Sequence, residues 1–464
     1  MNQEQIISTA ENSQGFSLTI YNKNFAVIRE KREISLQEGI NYVCYEDVSA
    51  TIEPTSISFK SITDPSGVIV REQNYQYDLI NQQTILDKSI YKLVRFRKVN
   101  PDGNIEVVEG ILLNAQELII RLDNGKFLLN PSGEIEVEEM PEGLMTRPSL
   151  LWTLEAKNES NHLTEVSDLA NQISWESDYV EVISEDEKQV DLTGWVTLDN
   201  KSGTNYTNAQ LQLIAGDVRR IQPERRKPII YEDNELWARP SGPEPQFEEE
   251  SFLEYHLYTL EGNTTIRDKE TKQITLLTAT DVSVNRKLIF DNSGQWWRAY
   301  NRKVDPGQGS NTEKGKVNVI LEIANTKDNN MGIPLPKGKV KFYQADKRGN
   351  LQFLGEDILD HTPRNEVIPL YIGDSFDVVG DRKVTEVKQI SNRMKKESYE
   401  ISIRNRKTEP ITIHIIERLS GDWEIRRSSH QYQKIDAMTV EFIVTIDKNH
   451  EVNVTYTAHY RYDN

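Results

Sequence analysis

The densest run of groups able to do chemistry is Glu356-Asp357-Ile358-Leu359-Asp360-His361. Hard carboxylate oxygens beside an imidazole suit a divalent cation, and Asp357, Asp360 and His361 would then support metal-assisted hydrolysis. An acidic strand end and turn gives the same letters in a chain with 73 Asp and Glu residues. A second acidic set, Asp374, Asp377 and Asp381, flanks Phe376, Val378 and Val379 and would suit Ca²⁺ at a loop end, with Arg382 and Lys383 as competing salt-bridge partners. No glycine-rich phosphate loop, H-E-x-x-H, G-x-S-x-G or EF-hand spacing completes either set. The seven histidines are scattered, and His414, alternating with Ile413 and Ile415, is expected on a solvent or sheet face. Cys44, the one cysteine, lies in Val43-Cys44-Tyr45 and reads as a buried structural thiol. A single cysteine excludes an intramolecular disulfide and a cysteine-built zinc site. The residues therefore point to no catalytic group and no cofactor, and the chain is expected not to be an enzyme.

Trp296-Trp297-Arg298 suggests a different use. Adjacent residues of a strand face opposite sides, so the two tryptophans cannot share one core. One of them then belongs at a domain junction or partner surface, where Trp and Arg are enriched, unless its own loop covers it. The tyrosines near both ends (Tyr42, Tyr45, Tyr75 and Tyr77, then Tyr456, Tyr460 and Tyr462) suit cross-strand pairing, with glycan stacking as the alternative.

The elements that must position these residues are strands, because period-two alternation dominates. Phe16, Leu18 and Ile20, then Phe25, Val27 and Arg29 after Asn22-Lys23-Asn24, read as a hairpin within an N-terminal β unit over 1–80. A short helical window follows, carried by Leu79, Ile80, Thr84, Ile85 and Lys88. Five short strands at 93–99, 105–113, 117–122, 127–129 and 135–139 predict a small SH3-like barrel over 81–147. Longer alternating runs at 150–156, 172–175, 179–183, 189–199 and 209–216 predict an immunoglobulin- or fibronectin-like β-sandwich over 148–303, its core filled by Trp152, Trp175 and Trp195. Eight more strand candidates predict a second such sandwich over 304–464. Residues 223–246 and 304–312 read as long polar loops. The fold class expected is all-β.

Charge narrows the partners. Lys plus Arg is 55 against 73 acidic residues, a net charge of −18 over 464 residues, which repels nucleic acid and anionic membranes at long range. No window reaches the roughly 18 apolar residues of a membrane span. Glu4 and Glu11 stand where a signal peptide needs a basic and then an apolar stretch, so a cytoplasmic location is expected.

Several ordered segments are similar to a known family. Gly194-Trp195-Val196-Thr197-Leu198-Asp199-Asn200 with Ser202-Gly203, the run 209–218, Pro334-Leu335-Pro336 with Gly338-Lys339-Val340, and Gly355-Glu356-Asp357 through Asp360-His361-Thr362-Pro363 carry the likeness. Ser375-Phe376-Asp377-Val378, Trp423-Glu424 and Ser428-Ser429-His430 extend it. Residues 148–464 resemble an uncharacterised bacterial domain of unknown function, also found at the C-terminus of mucoidy-inhibitor A-like proteins. Val27, Arg29, Pro54-Thr55-Ser56, Gln73-Asn74-Tyr75 and Tyr77-Asp78-Leu79 resemble the front half of those proteins. Neither the long coiled coil nor the signal peptide that many of them carry is expected here. The resemblance implies no established reaction and transfers no catalytic residue.

The sequence thus predicts a non-enzymatic structural or assembly protein, a homo-oligomer or the partner of another protein, associating through β edges or junction aromatics. A peptide- or glycan-binding adhesion module is the alternative, and a metal-assisted hydrolase around Asp357, Asp360 and His361 the third reading.

Overall fold

Alternating burial is the rule along the chain: from Gln189 to Asn200 every second residue, beginning at Val190, is buried. In the computed structural model, residues 5–76, 80–99, 105–131, 133–139, 141, 144, 147–216, 218–219, 246–291 and 312–461 are described. They form an all-β fold of several sheets with one short α-helix. Contacts divide it into two units that interleave in sequence: Met1–Trp175, Leu198–Ile214 and Thr259–Lys272, then Glu176–Thr197, Ala215–Tyr258 and Gln273–Asn464.

The first unit contains β1 (Ile6–Ser8), β2 (Ser13–Tyr21), β3 (Phe25–Leu36), β4 (Gly39–Glu46), β5 (Ser58–Ser61) and β6 (Val68–Gln76). The helix α1 (Gln82–Lys88) follows, then β7 (Leu93–Val99), β8 (Ile105–Asn114), β9 (Ile119–Leu122), β10 (Phe127–Leu129), β11 (Glu134–Val137), β12 (Ser149–Ala156) and β13 (Ser160–Asn171). One sheet runs β1-β4-β12-β6, and in another β2, β3, β13 and β5 are successive neighbours. Ile34, Val43, Tyr45, Leu150, Trp152 and Val166, drawn from both sheets, share one core. The β2–β3 hairpin turns at Asn22–Asn24, with Asn24 at φ 61°, a left-handed position that Asn tolerates. The five strands β7 to β11 form their own sheet in the order β10-β9-β8-β7-β11. Among the described residues its end strands β10 and β11 are not paired with each other, so the expected barrel is not closed. Leu86 of α1 seals its core against Phe96 and Leu112. Asn81 caps α1, accepting from the Thr84 amide at 2.9 Å while the Thr84 hydroxyl accepts from the Asn81 amide at 3.1 Å.

Later strands are β14 (Ile173–Ile183), β15 (Gln189–Asn200), β16 (Tyr206–Ala215), β17 (Phe247–Phe252), β18 (Tyr255–Ile266), β19 (Glu270–Asp291), β20 (Thr312–Ala324), β21 (Gly338–Ala345) and β22 (Leu351–Leu359). The last are β23 (Val367–Ser391), β24 (Met394–Asn405), β25 (Ile411–Arg418), β26 (Asp422–Ser428), β27 (Gln433–Lys434), β28 (Thr439–Ile446) and β29 (Glu451–Arg461). In the second unit the strand order is β22-β21-β14-β15-β19-β20-β23-β24-β29-β26, with β25 and β28 branching from β19. Phe290, Ile401, Ile413, Phe442, Val454 and Tyr456 stand in its core.

Three expectations need correcting. The windows at 172–175 and 179–183 are one strand, β14. The twelve residues of β13 form a full strand where no strand was expected. Trp152 and Trp175 are buried as expected, but Trp195 faces the opposite side from buried Leu192 and Val196 and is half-buried.

Two glycines decide how the second core closes. Gly315 of β20 and Gly380 of β23 are direct register partners, and a Cβ on either would lie 2.3 Å from the Phe290 ring. The missing side chains make the space that Phe290 fills. Gly380→Ala is therefore expected to destabilise the protein by about 1–3 kcal/mol through overpacking. Phe290→Leu in the same chain should recover part of that loss in a urea-unfolding measurement.

Candidate functional site

The candidate metal ligands Asp357, Asp360 and His361 are bonded to protein groups, Asp357 to Tyr371 and both Asp360 and His361 to Lys337. Asp357 Oδ2 accepts from the Tyr371 amide at 2.7 Å, and its Oδ1 from the Ile358 amide at 2.8 Å. Asp360 pairs with the Lys337 ammonium at 2.8 Å, and His361 Nδ1 accepts from the Lys337 amide at 3.1 Å. A bridge between Leu335 and Thr362 fixes the two segments side by side. Among the described residues no three His, Cys, Asp or Glu side chains are grouped to hold a metal ion. Trp296, Trp297 and Arg298 lie outside the described residues.

The second acidic set sits on β23, not at a loop end. Asp374 accepts from Asn318 Nδ2 at 2.8 Å and the Tyr371 hydroxyl at 2.9 Å and pairs with Lys316 at 2.7 Å. Burial alone would raise its pKa, but these three partners hold it below the usual value. Asp381 pairs with Arg404 at 2.6 Å. Asp374 marks one end of a wide bulge. Lys316 is opposite Val379 and Asn318 opposite Asp374, so residues 375–378 of β23 face the single residue Val317. The bulge turns Phe376 outward, and the residue is 94% exposed. On β22 and the start of β23, Phe353, Leu354, Ile358 and Val367 are exposed as well. Alternation could not reveal this presentation, because a bulge resets the phase.

Charged groups inside the sheets were also missed. In the first unit Arg32 is fully buried on the inward face of β3 and forks onto Glu30 with two 2.9 Å bonds. The Tyr45 hydroxyl donates to the same carboxylate at 2.9 Å, and the guanidinium stacks 3.7 Å from the Tyr45 ring centroid. The second unit repeats this chemistry. Arg382 Nε and Nη2 donate to Glu417 at 3.0 Å, the Tyr456 hydroxyl donates to Glu417, and Arg382 lies 4.3 Å from the Tyr399 ring centroid. Neither the acidic nor the basic member of these sets follows a sequence motif. His414 is mostly buried and bonded to Glu441 at 2.7 Å, and Cys44 is buried, which raises its thiol pKa.

Asp168 on β13 and Glu181 on β14 are buried carboxyls that each leave an oxygen without a hydrogen-bond partner. Burial, and then the nearby Glu30 carboxylate, push Asp168 up to about 7. Asp168 thus keeps its proton in the native state where the unfolded chain has lost it. The resulting stability is complete below the ordinary value of 3.8 and disappears as the pH rises through 7. Asp168→Asn removes that dependence, so the stability of the native chain relative to the variant should fall by up to about 4 kcal/mol between pH 4 and pH 8. Urea midpoints at both pH values measure it; parallel pH profiles for the two chains would be the contrary result.

Set against known proteins, the chain matches no family model and no curated sequence.

Proposed function

We propose that this chain is a non-enzymatic structural or assembly protein that self-associates through exposed aromatic and aliphatic surface on its β-sheets. The observation that carries the reading is Phe376. A bulge anchored by Asp374, Lys316, Asn318 and Tyr371 keeps a phenyl ring in water, at a cost that a monomer gains nothing from. Exposed Phe353, Leu354 and Ile358 supply further apolar surface in the same unit. A buried aromatic anchor surrounded by weaker contacts is the usual energetic pattern of a protein interface. We also propose membership of the bacterial family that residues 148–464 resemble, immunoglobulin- or fibronectin-like sandwiches as the parent architecture, and a cytoplasmic setting, which suits the single cysteine. The order β10-β9-β8-β7-β11 places the fifth strand beside the first, which supports the SH3-like reading of that module. A second reading, peptide capture by that module, is favoured by the exposure of Tyr91, Phe127 and Leu129.

Self-association predicts a sedimentation coefficient that rises with concentration above that of a 53.5 kDa monomer. The net charge of −18 opposes association, so raising salt from about 50 to about 500 mM should strengthen it. Phe376→Ser should weaken it by about tenfold or more and leave the melting temperature unchanged, since the ring touches little in the monomer. A monomer at every concentration and salt would sink the reading. Binding of a peptide library to that monomer, lost in Phe127→Ser, would favour the second.

A further inference from the structure

We infer that the second unit contains a proton-dependent seam: the neutral Glu181 carboxyl holds β22 and β23 together, and its ionisation parts them. The inference is separate from self-association and goes beyond it.

Glu181 sits on the inward face of β14 with Tyr179 and Ile183, 2% exposed, and its Oε2 has no hydrogen-bond partner. It lines a small cavity whose other walls are apolar side chains of β15, β20, β21, β22 and β23, with Met331 and Leu335 from the β20–β21 connection. The only other titratable side chain among those walls is Tyr179, whose hydroxyl donates to the Pro336 carbonyl at 2.7 Å. No charged group of the opposing strands lines the cavity among the described residues, so nothing there compensates a carboxylate. Burial alone pushes Glu181 up to about 8.

Around the cavity most strand pairs are sewn by ladders: β14 with β21, β21 with β22, and β20 with β23. The gap between β22 and β23 differs. Leu359 lines the cavity from one side of it, and Ile368 and Leu370 from the other. Among the described residues β22 is paired with β21 alone. The two strands are linked by the bond from the Tyr371 amide to Asp357 Oδ2. They approach closely only because position 355 is glycine, where a Cβ would fall 2.3 Å from the Ile372 carbonyl oxygen. Separating β22 from β23 therefore breaks no ladder, and it opens the cavity wall that Leu359, Ile368 and Leu370 form.

Linkage fixes the sign. In the closed seam Glu181 keeps its proton up to about pH 8, whereas a solvated glutamate loses it near 4.5. Opening the seam between those values releases one proton, so the opening equilibrium grows about tenfold per pH unit.

Hydrogen exchange of the full chain, followed by mass spectrometry and corrected for intrinsic rates, reads this equilibrium directly. From about pH 5 to about pH 8, protection of the Tyr371 amide, which is bonded across the seam to Asp357, should fall by about tenfold per unit in the native chain. It should stay flat in Glu181→Gln, with Glu181→Met as a second neutral variant should the amide disturb folding. Asp357→Ala, which removes that amide's acceptor, should lower its protection at every pH. A flat profile in the native chain overturns the inference, as does the same slope in both neutral variants. A slope shared equally by β24 and β29 would also overturn it, because the proton would then be coupled to unfolding of the unit and not to the seam.

Discussion

Charge on the inward face of a β-sheet has to be answered, and much of this structure follows from how it is answered. Arg32 and Glu30 share the buried face of β3 with Ile28 and Ile34, and Arg382 and Glu417 meet inside the second unit. Taking such ions out of water costs several kcal/mol each, and coulombic attraction offsets this only with good geometry. Both sites have that geometry: a forked guanidinium, a tyrosine hydroxyl on the second carboxylate oxygen, and an aromatic ring against the guanidinium face. The tyrosines thereby become fixed points. Tyr45 packs its ring against Trp152, and Tyr456 stacks on Tyr399 at 4.8 Å, so each ion pair orients the aromatic core beside it.

Where a buried acid has no cation, the alternative is to keep the proton. Asp168 and Glu181 take that course, and the difference between paired and protonated carboxyls is one of neighbours. Glu417 has Arg382 within reach, while Glu181 faces aliphatic walls. Paired carboxylates are tied into the fold through the guanidinium each one bonds. Protonated ones make the sheet around them depend on pH, because burial favours the neutral form.

These same residues explain how far the sequence could be read. The hairpin at Asn22–Asn24, the helix near Leu86 and the five short strands from Leu93 to Val137 follow ordinary rules, apolar alternation broken by turn residues, and all of them are present. β13 was invisible because its inward positions are His162, Thr164, Val166, Asp168 and Ala170, a mostly polar set in which His162 bonds to Ser61 and Ser160 and Thr164 to the Arg32 carbonyl. β3 was visible as a strand but with the wrong phase: Arg29 looked like a continuation of one face, whereas Glu30 and Arg32 are the buried residues. On β23 the bulge at 375–378 breaks the alternation, so a 25-residue strand looked like a short strand followed by an acidic loop. The acidic clusters were legible as letters only. Their function depends on which donor each oxygen meets, and Tyr371, Asn318 and Lys337 come from elsewhere in the chain.

Asp357 and Asp374 show what those carboxylates do instead. Each accepts from Tyr371, one from its amide and the other from its hydroxyl. Tyr371 lies where the pairing of β20 and β23 slips, between Val319 and Ile320. A slipped ladder leaves backbone donors that a regular ladder would use, and an unsatisfied amide is costly once water is excluded. Asp357 reaches across from β22 to take that amide, and Asp374, held by Lys316 and Asn318, fixes the tyrosine ring and the start of the bulge. The irregularity that presents Phe376 to solvent is therefore stabilised by the acidic residues that resembled a metal site. Their negative charge serves the geometry of β23: it lets one strand carry both an outward-facing aromatic and an unsewn border with β22.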